Sequence, residues 1–303
     1  MQTDQLSPEA LFQLLGNEKR MAILEVLWEA LDVEAYLLDD LEPVSFSDLR
    51  QGAAVDDVGN FNYHLGQLEG LLVDAVDDGY VLSPLGYNVL QAIEGHATFS
   101  YWTVDPTELD DPCPFCNGTL EAEYAREVVF VRCLDCEGHG GGSINRVRVP
   151  ANSHDEPTIR TLLDLSVVKL LSSFTASRLG LCPACHAPAE ISLLAESDDD
   201  TEELRGAVRC RVRCSSCGSG GFGPLYEYAL AAPSVQTFFE ANGTGPSTDL
   251  WGYRLEVLRR VSERLESTDP VVAEYAFTCD DDEHTVVISG TDVGLDIREL
   301  PTD

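Results

Sequence analysis

Eight of the ten cysteines in this 303-residue chain occur as four pairs with the spacing Cys-x-x-Cys. A pair at this spacing places two thiolates on one tight turn, and two facing pairs form a tetrahedral set of sulfur ligands with Zn–S distances of ~2.3 Å. Such a set leaves no open coordination position, so it stabilises a fold and does not catalyse. The spacing therefore predicts two structural zinc ions per chain, one bound by Cys113, Cys116, Cys133 and Cys136, the other by Cys182, Cys185, Cys214 and Cys217.

The alternative interpretation is that the pairs are redox dithiols or buried free thiols, but two complete sets of four favour a metal. Cys210 and Cys279 are left over. Cys210 could replace Cys214 as a ligand, although the Cys-x-x-Cys spacing favours Cys214; we expect both spare cysteines to be small buried hydrophobic residues. His139 and His186 adjoin pairs, and we expect them at the surface or behind a ligand rather than on the metal.

The segments around the cysteine pairs predict two small modules that resemble zinc ribbons. Val128–Val131 predicts a strand between the first two pairs, and the acidic run Glu196–Glu203 predicts a solvated loop between the second two. A helix over Thr158–Ser177 is predicted to connect the modules and to bury Leu162, Leu165, Val168 and Leu171. The last part of the chain predicts helices over Ser234–Ala241 and Asp249–Leu265 and strands near Val272–Phe277 and Thr285–Ser289.

The first third of the chain has the periodicity of a helical domain that ends in a hairpin. An acidic stretch around Asp32–Glu42 interrupts the helical pattern and predicts a loop. The predicted elements are, in order, a helix begun by Ser7-Pro8-Glu9, a helix capped by Asn17, a short helix capped by Ser47, a fourth helix capped by Asp56 or Asp57, a hairpin of Leu72–Val76 and Tyr80–Leu82 around Asp77-Asp78-Gly79, and a closing helix from Ser83-Pro84 to about Glu94.

This order of elements is typical of a winged helix-turn-helix. With the strings LLGNEKRMAILEVL and NFNYHLGQLEGLLV, it resembles winged-helix transcription regulators of the broad arsenic-repressor-like superfamily, especially haloarchaeal members. The resemblance implies a protein that binds double-stranded DNA and reads its sequence. Because one winged helix reads few base pairs, we expect a homodimer, although no segment identifies the dimerisation element.

The fourth predicted helix would lie in the major groove. Phe61, Leu65 and Leu68 are expected to face the core, which leaves polar residues on the opposite side. Asparagine and glutamine can form paired hydrogen bonds with adenine, and a tyrosine can reach a phosphate or a thymine methyl group. We therefore predict DNA contacts for Asn60, Asn62, Tyr63 and Gln67, and we expect His64 to pack inside the domain.

The net charge of −34 would ordinarily argue against a nucleic-acid partner, because phosphate contacts need Lys and Arg. Only Lys19 and Lys169 are lysines, and acidic residues are spread through a chain of ordinary apolar content. This composition is typical of a protein adapted to molar salt, as in an extreme halophile. Counterion release contributes little there, so DNA affinity would come from hydrogen bonds, apolar contacts and dehydration.

The densest basic cluster is Arg205, Arg209, Arg211 and Arg213. On a strand, the last three would share one face, with Cys210 and Val212 on the other. Two interpretations are open: a stripe that faces phosphates, or a solvated face paired with nearby acidic groups. We favour the second.

Together these patterns predict a multi-domain α+β protein. The predicted domains are a winged helix-turn-helix (1–97), a first zinc ribbon (98–150), a connecting helix (151–180), a second zinc ribbon (181–225) and a small α+β domain (226–303).

The predicted function is regulation of transcription by sequence-specific DNA binding. No Ser/His/Asp order or phosphate-binding loop suggests an enzyme, since the glycines of Gly138–Gly142 lack a following Lys-Ser or Lys-Thr. No signal peptide or bilayer-length apolar run is present, so we expect a cytoplasmic protein without a membrane segment. The alternative is an adaptor that contacts the transcription machinery without reading DNA, because a winged helix with a zinc ribbon is also similar to the archaeal relative of the general factor TFIIE alpha.

Overall fold

The computed structural model describes residues 7–31, 42–97, 103–136, 143–150, 157–195 and 208–300. The chain divides into two compact units, Met1–Phe99 and Ser100–Asp303, each with its own hydrophobic core. The described residues form helices and four separate sheets, which confirms the α+β class. The predicted loop at 32–42, except Glu42, the predicted loop at 196–203, the glycines at 138–142, His139 and Arg205 lie outside the described residues.

The described part of the first unit consists of helices and one hairpin. Its elements are α1 (Pro8–Leu15), α2 (Glu18–Glu29), α3 (Phe46–Gly52), α4 (Val58–Leu68), β1 (Val73–Val76), β2 (Gly79–Leu82) and α5 (Pro84–Ala97). Their core contains Ile23, Leu24, Leu49, Phe61 and Leu68.

Polar side chains set the start of these helices. Ser7, Asn17 and Asp57 accept hydrogen bonds from backbone N–H groups of the first turn, as the sequence predicts. The prediction for the third helix was wrong by two positions. Ser45, not Ser47, caps α3, because the Ser45 hydroxyl accepts a hydrogen bond from the Asp48 N–H over 3.2 Å.

A third segment of the chain, at Val44, pairs with the β1–β2 hairpin. Val44 pairs with Tyr80 through two backbone hydrogen bonds of 3.0 Å each. Gly79 has a positive φ, and a side chain there would collide with the Val44 carbonyl group. The predicted turn therefore requires glycine at position 79.

The second unit contains three antiparallel sheets and four helical segments among its described residues. In each sheet, strands that follow one another in the chain lie side by side. The first sheet consists of β3 (Val104–Pro112), β4 (Thr119–Ala125), β5 (Val128–Cys133) and β6 (Ser143–Arg148), and the second of β7 (Glu190–Ala195), β8 (Val208–Arg213) and β9 (Gly220–Pro224). The third sheet consists of β10 (Val261–Thr268), β11 (Val271–Cys279), β12 (Asp282–Gly290) and β13 (Leu295–Glu299). The helices are α6 (Ile159–Arg178), a 3₁₀ helix (Leu225–Ala231), α7 (Pro233–Ala241) and α8 (Leu250–Arg260).

Helix α6 packs against elements from all parts of this unit, including β4, β5, β6, the 3₁₀ helix, α8 and β13. The buried face predicted for it was partly wrong. Leu162 is buried, but Val168 is 48% exposed, whereas Val167 and Phe174 are buried. Because neighbours cover α6 along more than one side, a single leucine stripe does not define its buried surface.

One core runs through the whole second unit. It includes Tyr124 and Val131 from the first sheet, Cys210 from the second, and Trp251 and Tyr275 from the C-terminal part. The predicted boundaries at 150, 180 and 225 therefore fall within a region that buries its apolar side chains together.

The predicted helix Asp249–Leu265 is too long. Helix α8 ends at Arg260, and Val261 has extended backbone angles and begins β10, which pairs with β11. Along β10, buried or half-buried residues alternate with exposed ones, the period of a strand. None of the described helices has both the length and the apolar character needed to cross a membrane.

Candidate metal centres and nucleic-acid surface

The first four predicted cysteine ligands lie together beside the first sheet of the second unit. Cys113 and Cys116 lie in the connection between β3 and β4, Cys133 ends β5, and Cys136 follows it. The Sγ atoms of Cys113 and Cys136 are 3.9 Å apart, and those of Cys116 and Cys133 are 3.5 Å apart. Two sulfurs bound to one tetrahedral zinc at ~2.3 Å would lie ~3.8 Å apart. The four thiols are thus arranged as ligands of a single ion.

The second four cysteines repeat this arrangement around the second sheet. Cys182 and Cys185 precede β7, and Cys214 and Cys217 connect β8 to β9. The Sγ distances are 3.6 Å for Cys182 and Cys217 and 3.6 Å for Cys185 and Cys214. Within each set of four, all sulfur atoms lie within 4.8 Å of one another. The chain therefore contains two tetra-cysteine clusters that can each bind one metal ion.

Three of the four Cys-x-x-Cys turns have the same backbone geometry. The residue after the second cysteine is left-handed in each: Asn117 has φ 60°, His186 has φ 57° and Gly218 has φ 73°. The N–H of that residue donates to the carbonyl of the first cysteine, over 3.0 Å from Asn117, 2.9 Å from His186 and 3.2 Å from Gly218. Asparagine and glycine tolerate this conformation at little cost, so the local sequence helps to form the turn.

Backbone N–H groups also point at the sulfurs. The N–H of Asp135 donates to the Cys133 Sγ over 3.4 Å, and the N–H of Ala184 donates to the Cys182 Sγ over 3.4 Å. Burial opposes ionisation of the Cys133 thiol, but N–H donors and neighbouring thiols bring its pKa down to about 7. Backbone N–H donation from Cys217, against some burial, lowers the pKa of Cys214 to about 6. Donors that favour the thiolate prepare these turns to bind a cation.

Asp135 supports the first cysteine cluster through a hydrogen bond, a role that was not predicted from the sequence. Its Oδ2 accepts a hydrogen bond of 2.6 Å from the Thr119 N–H at the start of β4. This bond joins the turn after β5 to the turn before β4, so it fixes the two cysteine pairs relative to each other. The only signal in the sequence is an acidic residue inside the second Cys-x-x-Cys motif.

The two spare cysteines lie outside both clusters. Cys210 and Cys279 are buried, and burial raises the pKa of each thiol. The Tyr228 hydroxyl opposes part of this rise in the pKa of Cys210. Both therefore occupy the core positions expected for small apolar residues. His186 is exposed, and the second cluster of possible metal ligands consists of the four cysteines without it.

The predicted DNA-contact residues lie on α4, with different exposures. Asn62 and Gln67 are exposed, and Tyr63 is 62% exposed, whereas Asn60 is half-buried. His64 is buried beside Tyr63, with ring centroids 5.2 Å apart. Burial, followed by the positive charges of Lys19 and Arg20, lowers the pKa of His64.

The arginines of β8 alternate as predicted. Val208, Cys210 and Val212 are buried, whereas Arg211 and Arg213 are exposed and Arg209 is half-buried. Among the described residues, no carboxylate lies within ion-pair distance of the three. The acidic run at 196–203 lies outside the described residues, so pairing with nearby acidic groups stays a prediction. The guanidinium carbons of Arg209 and Arg211 lie 5.5 and 5.7 Å from the Phe222 ring centroid, because Phe222 is the β9 residue opposite Arg211.

Comparison with known families divides the chain close to the structural division. No curated protein and no solved structure matches it. The domain of unknown function DUF7347 matches residues 8–93, within the first unit. The domain of unknown function DUF7351 matches residues 110–292, which include both cysteine clusters, helices α6 to α8 and most of the three sheets of the second unit. Most of β3 and all of β13 lie outside the matched residues. Since that match spans more than half of the sequence, the chain belongs to the DUF7351 family.

Proposed function

We propose that this protein is a transcription regulator that reads DNA through a winged helix in its first unit and holds two structural zinc ions in its second. The order of elements in the first unit supports this proposal: α3 and α4 are followed by the hairpin and then by α5. Val44 adds an isolated β-bridge to the hairpin. In helix-turn-helix proteins the second helix of the pair lies in the major groove. By this analogy α4 is the recognition helix.

Two kinds of contact hold α3 and α4 together: an aromatic contact between the helices and hydrogen bonds to the turn that joins them. The rings of Phe46 and Phe61 meet edge to face with centroids 5.0 Å apart. The Arg50 side chain donates to the Val55 carbonyl over 3.3 Å and to the Asp56 carbonyl over 3.0 Å, so it fixes the turn that precedes α4. A recognition helix must be presented rigidly, and these contacts provide that rigidity.

The single observation that carries the proposal is the outward face of α4. Val58–Leu68 contains no acidic residue, although the chain carries 53 acidic residues. Its exposed face presents Asn62, Tyr63 and Gln67, which suit base edges in the major groove. Among the described helices of the first unit, α4 is the one without an acidic residue, so a DNA duplex can approach its amide side chains without facing carboxylates on the same helix.

The zinc assignment rests on the ligand chemistry of the clusters. Four thiolates in a tetrahedral set are the ligands of structural zinc, and sulfur–sulfur distances of 3.5 to 3.9 Å fit that geometry. Zinc bound here contributes folding free energy and offers no open position to a substrate.

Genome-wide footprinting tests this function against its alternative. Discrete occupied sites upstream of particular genes support a specific regulator. A variant with alanine at Asn60, Asn62, Tyr63 and Gln67 should then lose those sites while remaining folded. The matched control is Gln91→Ala, which removes an exposed amide from α5 and should leave occupancy unchanged.

The second candidate function is an adaptor that contacts the transcription machinery. It is favoured by the charge of the first 95 residues, which carry 3 basic and 18 acidic groups. Occupancy at most promoters in proportion to RNA polymerase, unchanged by the quadruple alanine variant, would establish this function and reject sequence-specific reading.

A further inference from the structure

A cleft of about 710 Å³ lies within the second unit. One wall is β6, the last strand of the first sheet, and another is β9, the last strand of the second sheet. Residues of α6, α8 and the 3₁₀ helix also line it. Its volume lies in the range of about 300 to 1,000 Å³ that is usual for small-molecule sites.

Cationic side chains line this cleft although the protein as a whole is strongly acidic. The cationic residues are Arg146, Arg148, Lys169, Arg209 and Arg254, and the only carboxylate among the lining residues is Glu227. Arg148 pairs with Glu127 outside the cleft, and Arg254 pairs with Glu227. Within the described residues, Arg146, Lys169 and Arg209 have no carboxylate at ion-pair distance.

These three cations, which have no ion-pair partner in the part of the chain that the structure describes, come from different elements. Arg146 lies on β6, Lys169 on α6 and Arg209 on β8. Positive charges on several sides of one cavity repel each other, and a ligand with more than one negative group would relieve that repulsion. A metal cation is excluded by the same charges.

Arg254 is buried at the wall of the cleft. It is 3% exposed, and its guanidinium donates to Asn145 Oδ1, the Ile144 carbonyl and Glu227 Oε1. Its Nε is buried without a hydrogen-bond partner among the described residues. Arg254 therefore holds β6 and the 3₁₀ helix together at the wall of the cleft.

The wall formed by β9 is kept open by glycine. A Cβ atom added at Gly221 or Gly223 would meet nothing within 4 Å, and neither residue has a positive φ. Neither packing nor backbone conformation therefore requires glycine at these positions. The absence of side chains widens the cleft, while Phe174, Phe222 and Tyr226 supply aromatic rings along it.

We infer that this cleft binds a phosphate-bearing small molecule of nucleotide size, with its phosphates among Arg146, Lys169 and Arg209 and its apolar or aromatic part against the rings. The site lies entirely in the second unit, so it is separate from the proposed DNA-reading helix. Arg211 and Arg213, which continue the same face of β8, do not line the cleft, and this favours a compact ligand over a long nucleic-acid strand.

Titration calorimetry on the full chain tests the inference, with ATP and inorganic pyrophosphate as probes. We expect saturable binding of ATP, and weaker binding of pyrophosphate because it lacks the aromatic part. Arg209→Gln and Lys169→Gln should each weaken ATP binding at least tenfold. Gly221→Leu should abolish it by filling the cleft, with no loss of folding because the space beside Gly221 is open.

Arg213→Gln is the matched control, since Arg213 also lies on β8, has no ion-pair partner among the described residues and lies outside the cleft. An equal loss of ATP binding in Arg213→Gln and Arg209→Gln would reject the site in favour of general surface charge. Absence of ATP binding to the wild-type protein would also reject it. A labelled single-stranded oligonucleotide that binds in an Arg209-dependent manner, while ATP does not, would replace the proposal with a nucleic-acid site. Asn62→Ala should leave ATP binding unchanged, so failure of the DNA-reading proposal is distinguishable.

Discussion

The Nη1 atom of Arg254 donates a hydrogen bond of 2.7 Å to the Oδ1 atom of Asn145, and both side chains are buried. Arg254 belongs to α8, whereas Asn145 belongs to β6, in the sheet of the first cysteine cluster. The Asn145 amide in turn donates to the Val129 carbonyl of β5 over 3.0 Å. A polar network thus connects the first sheet to the C-terminal part of the chain.

Arg254→Met should destabilise the second unit by about 3 to 5 kcal/mol, because it removes a buried charge partner from the half-buried Glu227 carboxylate and from the buried Asn145 side chain. Hydrogen exchange should show faster exchange at β6 and α8 and unchanged exchange at α2 and α4. Arg298→Met is the control, since its exposed pair with Asp296 should contribute less than about 1 kcal/mol. Equal effects of the two substitutions would contradict the importance of the buried network.

Elemental analysis of protein purified without added metal should find two zinc ions per chain. Cys116→Ser should lose one of them, whereas Cys210→Ala should retain both, because Cys210 is buried outside the clusters. Wild-type protein with no zinc and ten freely titratable thiols would refute both centres.

The same Cys116→Ser variant should also unfold residues beyond the first cysteine cluster and its sheet. A structural zinc contributes on the order of 10 kcal/mol in small modules, and the core of the first sheet is continuous with that of α6 and α8. The first unit has a separate core and should stay folded. Limited proteolysis that releases an intact fragment near residues 7–97 would support this outcome. Collapse of both units in one transition would show that they depend on each other.

The cysteine clusters could be predicted because each ligand pair is a local feature of the sequence. The same is true of the helix caps Asn17 and Asp57, which act within one turn. The burial of α6 and the start of β10 at Val261 depend on partners distant in sequence, so periodicity alone gave a partly wrong buried face for α6 and the wrong end for α8. The cleft was not predicted for the same reason, since its cations lie on different elements.

His64 should titrate below the usual histidine pKa of 6.5, because burial and the charges of Lys19 and Arg20 disfavour its protonated form. Above pH 6.5 the ring is neutral in both folded and unfolded chains, and its contribution to stability is fully present. As the pH falls below 6.5, the unfolded chain takes up the proton more readily, and this contribution is lost by the time the pH has fallen through the folded pKa. Proton NMR of the His64 ring measures that pKa directly. A midpoint at or above 6.5 would show that the ring is accessible to water and is not packed as the structure has it.

Asn62→Ala should weaken binding to the native operator far more than binding to random DNA. A good paired contact with a base discriminates by about 1 to 3 kcal/mol, which corresponds to roughly 5-fold to 150-fold in affinity. Arg211→Ala is the contrast, because Arg211 lies over Phe222 on a solvated face of the other unit. We expect that substitution to leave DNA binding unchanged. If Arg211 contacts phosphate instead, its loss will weaken all sequences alike and flatten the salt dependence. Binding should be measured in molar KCl, where repulsion between the duplex and the 53 acidic residues is screened. If operator affinity is unchanged in the folded Asn62→Ala protein, Asn62 does not contact the operator.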